Sequence, residues 1–170
     1  MDATPDRSSL KPGTVDAIDR SLLAELQRDA TQPYVALGQA VGMAAGSAHE
    51  RVRKLRERGV IRRTTIDVDP AAVGRGVLAF VLLDASSWLG GQPTVAALEA
   101  IADVEEAHVV AGSATLLVKV RAATTEALQA TLRRLHDIEG VSGTETIVVL
   151  ETFFERPTDP YGASAGATAS

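Results

Sequence analysis

Residues 46–63, GSAHERVRKLRERGVIRR, place seven basic side chains in eighteen positions of a 170-residue chain whose formal net charge is −5. At about 100° per residue, Ala48, Val52 and Leu55 fall on one side of a helix, and charged residues cover the opposite side. Gly59 predicts the end of that helix. The stretch therefore predicts an amphipathic helix with a buried apolar stripe and an open, charged face.

Charge is distributed unevenly along the chain. Residues 16–63 hold nine Lys and Arg against six Asp and Glu, a net charge of +3, so the remainder carries −8. Such an asymmetry indicates a part that binds a polyanion, joined to an acidic part with another task. The alternative is a solvated helix face, which explains most short basic runs.

The composition is that of a soluble globular protein, with 45% hydrophobic and 23% charged residues. No apolar run approaches the length of a membrane span, and the polar start MDATPDRSSLKPGT has no apolar core of a secretory signal. The absence of cysteine excludes disulfides, cysteine zinc sites and thiol catalysis. We therefore expect a cytoplasmic protein with no membrane partner.

Two further helices are predicted before the basic one. In the first, residues 15–29, Asp16 can cap the N-terminus, and Asp19 follows three residues later in the spacing of a capping box. The second is short, about 33–41, and is broken by Gly42. A short second helix, a turn containing glycine and a basic third helix are typical of a helix-turn-helix.

The segment that follows, VIRRTTIDVDP at 60–70, is rich in β-branched residues and ends at Pro70. This composition predicts a strand or small wing that leads into a linker. The first part of the chain is therefore interpreted as a helix-turn-helix of the winged-helix-like kind.

The second half alternates strand and helix patterns. Strands are predicted over 76–85, 104–112, 115–122 and 140–154, and helices over 93–104 and 124–138. The order βαββαβ predicts a ferredoxin-like sandwich, a four-stranded antiparallel sheet with two helices on one face, and the chain as a whole is α+β. Aliphatic runs at 79–83 and 147–150 would leave an apolar patch on the free face of the sheet, which predicts sheet-to-sheet dimerisation.

Three motifs, in this order and spacing, resemble the Lrp/AsnC family of transcriptional regulators, the feast/famine regulatory proteins of bacteria and archaea. They are D-x-x-D-x-x-L-L-x-x-L at 16–26, L-x-x-x-V-G-M at 37–43 and R-V-x-x-L-x-x-x-G-V-I at 51–61. The likeness extends from about Val15 to Glu155. It implies amino-terminal DNA binding and a carboxy-terminal regulatory domain that forms dimers, often assembled into octamers, and senses an amino acid or related small molecule.

The predicted organisation follows from these features. It comprises a disordered tail (1–13), a helix-turn-helix DNA-binding domain (14–63), an extended linker (64–75), a βαββαβ regulatory and oligomerisation domain (76–156) and a second disordered tail (157–170).

The sequence departs from the family pattern at two places. Relatives usually carry Ser or Thr at the position of Ala44, where the side chain caps the third helix. A later start capped by Ser47 is the alternative. Relatives also often show glycine followed by Asp and aromatic residues in the turn after the second regulatory strand, where this chain has small neutral residues at 112–115. An effector that is bulkier or differently charged than a simple amino acid, or no effector, is therefore expected.

The groove end of the third helix is assigned to base edges. Gly46 allows close approach, Ser47 and His49 can hydrogen-bond base edges, and Glu50 can accept from cytosine N4. The alternatives are a plain surface histidine for His49 and an ion pair of Glu50 with Lys54 at i,i+4.

Phosphate contacts, which fix position on the duplex, are assigned to the surrounding cations. Arg53 can also reach guanine, and Arg51 has the alternative of bracing the helix against an acid of the first helix. Two-fold symmetry predicts a pseudo-palindromic operator on double-stranded DNA. The predicted phosphate contacts are Arg51, Arg53, Lys54, Arg62 and Arg63.

The resemblance places the effector at the turn after the second regulatory strand, near a further contact between dimers. An ordinary tight turn is the alternative. No cofactor and no metal are predicted. The assigned residues are Gly112, Ser113, Ala114 and Thr115, with Ser142 and Thr144 as weaker additions.

Two other functions are weighed. Some sirohaem decarboxylases resemble this architecture, but they would need basic and His residues around a large pocket, and outside the first part of the chain only His108 and His136 are present. No nucleophile–base pair, paired carboxylates or metal-ligand spacing stands out, so we do not expect an enzyme. An amino-acid-sensing module without DNA binding is suggested by Ala44, but the density of basic residues argues against it.

Overall fold

The computed structural model describes residues 15–85 and 91–162, so the predicted tail 1–13 and residues 163–170 lie outside the described part. The described chain divides into two compact units. The first comprises the residues up to Ile66 together with those from Glu155 onward, and the second runs from Asp67 to Phe154.

The first unit contains three helices, α1 (Ala17–Arg28), α2 (Tyr34–Ala40) and α3 (Ala45–Glu57). The predicted capping box at the start of α1 is confirmed: Asp19 N–H donates to Asp16 Oδ1 over 2.7 Å, and Asp16 N–H donates to Asp19 Oδ2 over 3.4 Å. The two reciprocal bonds satisfy donors that a helix N-terminus otherwise leaves unpaired.

The core of this unit lies where the three helices meet. Leu22 of α1, Leu37 of α2 and Ala48 and Val52 of α3 are fully buried against one another. Leu55 is also buried, so the predicted apolar stripe of α3 is confirmed.

The turn between α2 and α3 depends on two glycines. Gly42 adopts a positive φ of 73°, which L side chains rarely take. A Cβ added at Gly38 would lie 2.6 Å from the carbonyl oxygen of Met43. The chain therefore reverses tightly enough to bring α3 directly onto α2.

The recognition helix α3 begins at Ala45, with Ala44 as its N-cap in extended conformation. The methyl group of Ala44 cannot accept a hydrogen bond, so this N-terminus has no side-chain cap. Ser47 is the third residue of α3, which excludes the later start considered from the sequence.

The predicted wing is wrong for the described chain. No strand of the described residues falls between Val60 and Pro70, and the strand pairings of the described chain do not include this segment. Its β-branched composition favours extended backbone, but a strand also needs a neighbour that accepts its hydrogen bonds.

The second unit is the predicted ferredoxin-like sandwich. Its strands lie in the order β2-β3-β1-β4, and every neighbouring pair is antiparallel. Its elements are β1 (Val77–Ala85), α4 (Gln92–Glu99), β2 (Val104–Val109), β3 (Leu116–Ala122), α5 (Thr125–His136) and β4 (Val141–Val148).

Alternate residues of the central strands β1 and β3 build the core of this unit. Val81 and Leu83 of β1 and Val118 and Val120 of β3 are buried on the face that the two helices cover. Alternation places the intervening side chains on the helix-free face. The helix layer contributes Leu98, Ile101, Leu128, Leu135 and Ile138 to the same core.

Three elements end several residues earlier than predicted, and one of them is β2, expected to 112, which ends at Val109. The helix expected to 104 ends at Glu99, because Val104 must already be extended to pair with Val120. The strand expected to 154 ends at Val148, because Val148 already lies opposite Ala79, near the start of β1, and the bond from Val149 N–H to the carbonyl of Leu78 follows it.

The tail predicted from 157 is also wrong in its first part. Residues 158–161 hydrogen-bond to α1, and Glu155 and Arg156, assigned from sequence to the regulatory domain, group with the first unit. These long-range contacts have no periodic signature in a short segment that contains two prolines.

The uncapped start of α3 generates a prediction. Ala44→Ser supplies an acceptor for a free N–H of the first turn, so it should stabilise the first unit by about 1 kcal/mol. In a small domain this corresponds to a rise in melting temperature of about 4–8 °C. Thermal unfolding followed by circular dichroism measures it, and Ala45→Ser, which lies inside the helix, is the control. Equal melting temperatures for the parent and Ala44→Ser would contradict this account.

Candidate nucleic-acid interface and effector region

The predicted base-reading residues lie at the amino-terminal end of α3. Gly46, Ser47 and His49 are exposed, and Glu50 is half-buried. A Cβ added at Gly46 would meet no described atom within 4 Å, so another surface can approach the backbone closely there. The structure thus gathers these four residues on one accessible end of the helix.

His49 is oriented by a residue that the sequence analysis missed. The rings of His49 and Tyr34 meet edge to face, with centroids 4.7 Å apart and planes at 84°, an arrangement that aromatic rings favour. Tyr34 also packs against the core of the first unit. The available signal was an aromatic residue at the start of a short helix in a chain with few aromatics.

An ion-pair network covers the middle of the exposed face of α3. Glu50 accepts two bonds from Arg53, of 2.6 and 2.8 Å, and lies 3.5 Å from Lys54 Nζ. Glu57 accepts a further bond from Arg53. The bond from Arg53 lowers the pKa of Glu50 to about 2, so the carboxylate is charged at neutral pH. Glu50 therefore also makes the alternative ion pair with Lys54 that was considered from the sequence.

Arg51 braces α3 against α1. Its Nη1 atom donates to Asp16 Oδ2 over 2.7 Å and to Asp19 Oδ1 over 2.8 Å. Asp19 is only 5% exposed, and its other oxygen lies 3.9 Å from Arg58. A buried carboxylate needs such partners. Of the two roles left open by the sequence, the structure shows the brace.

The remaining predicted phosphate contacts, Arg62 and Arg63, lie just after α3. Both are exposed and form no ion pair with any residue in the described part of the chain. They are therefore cations available to an external anion, in contrast to Arg51 and Arg53.

The predicted effector residues gather at one end of the sheet. Thr115 N–H donates to the carbonyl of Leu83 over 3.0 Å, and Thr144 lies opposite Leu83 in the neighbouring strand. Thr115 and Thr144 thus flank one residue of β1, and Ser142 lies at the bulge beside it. Gly112, Ser113 and Ala114 belong to the turn that precedes β3.

Asp84 is a further residue at this end of the sheet that the sequence analysis missed. It follows Leu83, lies opposite Gly143, and its Oδ2 would be 3.4 Å from a Cβ built at that glycine. The turn lacks a carboxylate of its own, and Asp84 supplies one nearby. As the only charged residue of the apolar strand β1, it was a visible signal.

A concavity of about 360 Å³ lies elsewhere, between α4 and the end of α5. None of the predicted effector residues lines it. Its walls are Ala97, Ile101, Arg134, Asp137, Ile138 and Glu139.

Within residues 15–85 and 91–162, no group of three or more His, Asp or Glu side chains is placed to hold a metal ion. His108, one of the two histidines considered for an enzyme, is exposed and lies 3.1 Å from Glu106. The helices of the described chain include none long and apolar enough to cross a membrane.

A helix-turn-helix with a basic third helix, joined to a separate ferredoxin-like unit, is the architecture of a class of DNA-binding proteins. Comparison with known proteins identifies the family. An AsnC-type helix-turn-helix model matches residues 15–56, and an Lrp/AsnC ligand binding domain model matches residues 79–159. The chain belongs to the Lrp/AsnC family of transcriptional regulators.

Individual relatives agree along nearly their whole length. The HTH-type transcriptional regulator FL11 of Pyrococcus abyssi is 36% identical over 143 residues, 84% of this chain and 93% of that protein. Regulatory protein AsnC of Escherichia coli K12 is 31% identical over 147 residues, covering 86% and 97%.

Solved structures agree as well. E. coli AsnC superposes with a TM-score of 0.79 at 30% identity, covering 86% of this chain and 99% of that one. The feast or famine regulatory protein Rv3291c of M. tuberculosis, complexed with L-methionine, gives 0.78 at 31%, covering 85% and 98%. The predicted fold and family are confirmed, and the chain is a DNA-binding transcriptional regulator.

The brace between α1 and α3 generates a prediction about acid stability. The N–H of Asp19 and the guanidinium of Arg51 lower the pKa of Asp16 below its usual 3.8. A lowered pKa means that the native state favours the charged form, so the stabilisation is present above the unfolded-state pKa and is lost as pH falls through the lower folded-state value. We expect Asp16→Asn to be less stable at pH 7 and to lose less stability below about pH 4.

Urea unfolding at a series of pH values, followed by circular dichroism, measures this effect. The control is Asp67→Asn, at an exposed position with no ion pair to the described residues. If the free energy of unfolding depends on pH in the same way in the parent protein and in Asp16→Asn, the protonation of Asp16 is not coupled to folding.

Proposed function

We propose that α3 enters the major groove of operator DNA and that its amino-terminal end reads base edges through Gly46, Ser47, His49 and Glu50. The observation that carries the proposal is the division of α3 into two faces. Its apolar stripe is buried in the core of the first unit, and the opposite face is exposed to solvent and charged. The major groove of B-DNA is wide enough to admit an α-helix.

Phosphate contacts are proposed for Arg53, Lys54, Arg62 and Arg63. Arg53 must exchange its bonds to Glu50 and Glu57 for bonds to phosphate, and exposed ion pairs of this kind are weak enough to be exchanged. The role proposed for Arg51 is to hold α3 on α1, so that docking does not displace the helix.

The cations after α3 generate the first test of DNA binding. An Arg62→Ala/Arg63→Ala variant removes four phosphate contacts from a dimer, so the salt dependence of DNA affinity should fall by about 3–4 in logarithmic slope. Titration of an operator fragment at several salt concentrations measures it. The operator is first found by footprinting genomic fragments.

The matched control is Arg28→Ala/Arg133→Ala, which removes the same charge from exposed positions on α1 and α5. Equal salt slopes for the two double variants would refute the phosphate assignment. Failure of the parent protein to retain any genomic fragment at low salt would refute DNA binding itself.

A homodimer is proposed through the helix-free face of the sheet. Phe80 and Leu82 of β1 lie on this face beside Ile147 of β4 and Leu117 of β3 in the strand register. Ile147 is 51% exposed in the single chain. A contiguous apolar patch of this kind usually marks an interface. Assembly of dimers into an octamer remains a prediction from the family resemblance.

Two-fold symmetry then sets the shape of the operator. Two copies of α3 related by a dyad meet half-sites about one helical turn apart, about 34 Å along the duplex. The operator is therefore proposed to be pseudo-palindromic, with each half read by one subunit.

The dimer proposal is tested at Ile147, the residue of the patch that lies in the edge strand β4. Ile147→Glu places a charge in a surface that must lose its water on association, so the mass in solution should fall toward that of one subunit. Light scattering measures the mass. Val95→Glu, on an exposed position of α4, is the control and should leave the mass unchanged. If the mass of Ile147→Glu equals that of the parent protein, the dimer interface does not include this face of the sheet.

The effector is proposed to be an amino acid or derivative, bound at the sheet end formed by residues 112–115, Ser142 and Thr144. Asp84 supplies the carboxylate that an ammonium group requires, and the hydroxyl of Thr115 suits a polar ligand. The presence of L-methionine in the Rv3291c complex supports an amino acid. Binding regulates DNA affinity through unequal affinity for two assembly states.

Removal of the carboxylate tests this proposal. Asp84→Asn should weaken amino acid binding at least about tenfold, because a charge-assisted bond is lost. Calorimetric titration with L-methionine, and then with the other amino acids, measures it. Asp69→Asn, whose carboxylate caps a turn at Ala71, is the control. If Asp84→Asn binds the amino acid with the same affinity as the parent protein, Asp84 does not bind the ammonium group.

The cytoplasm is the proposed location, since the chromosomal DNA lies there. The relatives are named as transcriptional regulators, which favours a regulatory over a catalytic role for this chain and argues against the decarboxylase alternative.

A further inference from the structure

Helix α1 has two opposite faces, and both are in contact with protein. Leu22 and Leu26 face the core of the first unit. At about 100° per residue, Arg20, Ala24 and Gln27 fall on the opposite side of the helix. Arg20 and Ala24 are half-buried nonetheless, so something covers this outer face as well.

The covering segment comes from the carboxy-terminal part of the same chain. Gln27 Nε2 donates to the carbonyl of Thr158 over 2.8 Å, Arg20 Nη1 donates to the carbonyl of Pro160, and Tyr161 Oη lies 3.2 Å from Ser21 Oγ. The order of these contacts shows that the segment runs antiparallel to the helix.

The three contacts are distributed over nearly two turns of α1, because Ser21 and Gln27 lie about 9 Å apart along the helix axis. The segment that meets the helix contains a turn at Pro160 and Tyr161, in which Asp159 Oδ1 accepts a hydrogen bond from the N–H of Tyr161 over 2.9 Å. The turn helps to fix the conformation in which the segment lies against α1.

The residues that contact α1 belong to a segment whose conformation is largely fixed before it docks. Two of the three contacts are accepted by main-chain carbonyls, so the outer face of α1 binds main-chain groups of the segment. Pro157 and Pro160 restrict their own φ angles and those of their neighbours, which lowers the entropy lost on docking. Tyr161 is 40% exposed, so more than half of its surface is covered.

We propose that residues 157–162 form a strap that is an integral part of the DNA-binding unit and holds α1 from its outer side. The inner side of α1 carries Asp16 and Asp19, which hold Arg51 of the recognition helix. The strap thereby stabilises the helix on which α3 is braced. In the chain, the second unit is inserted between two stretches that both belong to the first unit, which contains the helix-turn-helix.

Amide hydrogen exchange of the intact protein, without DNA, tests the strap independently of the proposed function. Truncation after Arg156 removes the strap, and truncation after Gly162 keeps it. Loss of hydrogen bonds worth one or two kcal/mol corresponds to roughly 5- to 30-fold faster exchange, which we expect for the amides of α1 in the shorter chain alone. Amides of α5 are the internal reference and should not change.

Point variants separate the strap from a general effect of truncation. Gln27→Ala removes the contact to Thr158 and introduces the residue with the highest helix propensity, so faster exchange in α1 would come from the lost strap. Arg28→Ala is the control, because Arg28 is 73% exposed and pairs with Glu25 of its own helix. Exchange rates in α1 that are unchanged in both the Arg156 truncation and Gln27→Ala would overturn the proposal.

The same experiment distinguishes the chain's own segment from that of a second copy. A strap supplied within one chain gives protection of α1 that is independent of protein concentration. Protection that falls on dilution across the dimer–monomer transition would overturn the proposal in favour of an exchanged segment.

Discussion

The ion pair of Arg51 with Asp16 and Asp19 is the constraint on which the DNA-binding unit depends. Asp19 is nearly buried, and a buried carboxylate without a partner would be strongly destabilising. Arg51 therefore stays in contact with the start of α1, and because Arg51 is part of α3, this contact holds α3 against α1. The same two aspartates close the capping box of α1, so the start of one helix and the attachment of another use the same pair of side chains.

This constraint divides the basic side chains of α3 and the residues after it into two groups. Arg51 is committed to the fold, and Arg53 is held by Glu50 and Glu57 on the surface, whereas Arg62 and Arg63 face solvent. The basic run thus offers fewer available positive charges than its composition suggests. A polyanion has to compete with the carboxylates of the helix, which favours a ligand that presents many phosphates in a regular array.

The architecture of the second unit reflects a different constraint, because the apolar side chains on both faces of its sheet have to be shielded from water. Its helices cover one face and leave Phe80, Leu82 and Leu117 on the other. The end of the sheet combines small residues in the 112–115 turn with the carboxylate of Asp84, so polar groups for a ligand lie beside an apolar surface suited to a second subunit. The proposed effector site and the proposed dimer face are therefore adjacent parts of one sheet.

Local patterns were sufficient to predict most of the fold. The capping box of α1, the apolar stripe of α3 and the alternation in β1 and β3 are periodic over a few residues, and periodicity reports which side of an element is buried. The order of these elements predicted the helix-turn-helix, the sandwich and the family. The boundaries that were misjudged depended on pairing between distant parts of the chain. The wing at 60–70 and the end of β4 lacked a partner strand, the predicted end of α4 already pairs within β2, and residues 158–161 hydrogen-bond to α1.

The amino-acid sequence by itself determined where helices and strands form and which of their faces are apolar, because those properties depend on neighbours in the chain. Only the tertiary structure decided that Arg51 meets Asp16 and Asp19, that Asp84 lies at the same end of the sheet as the 112–115 turn, and that the segment at 157–162 returns to α1. Each of these pairs residues that are far apart in sequence. A side chain able to form several equivalent ion pairs or hydrogen bonds takes the partner that the packed backbone places within reach.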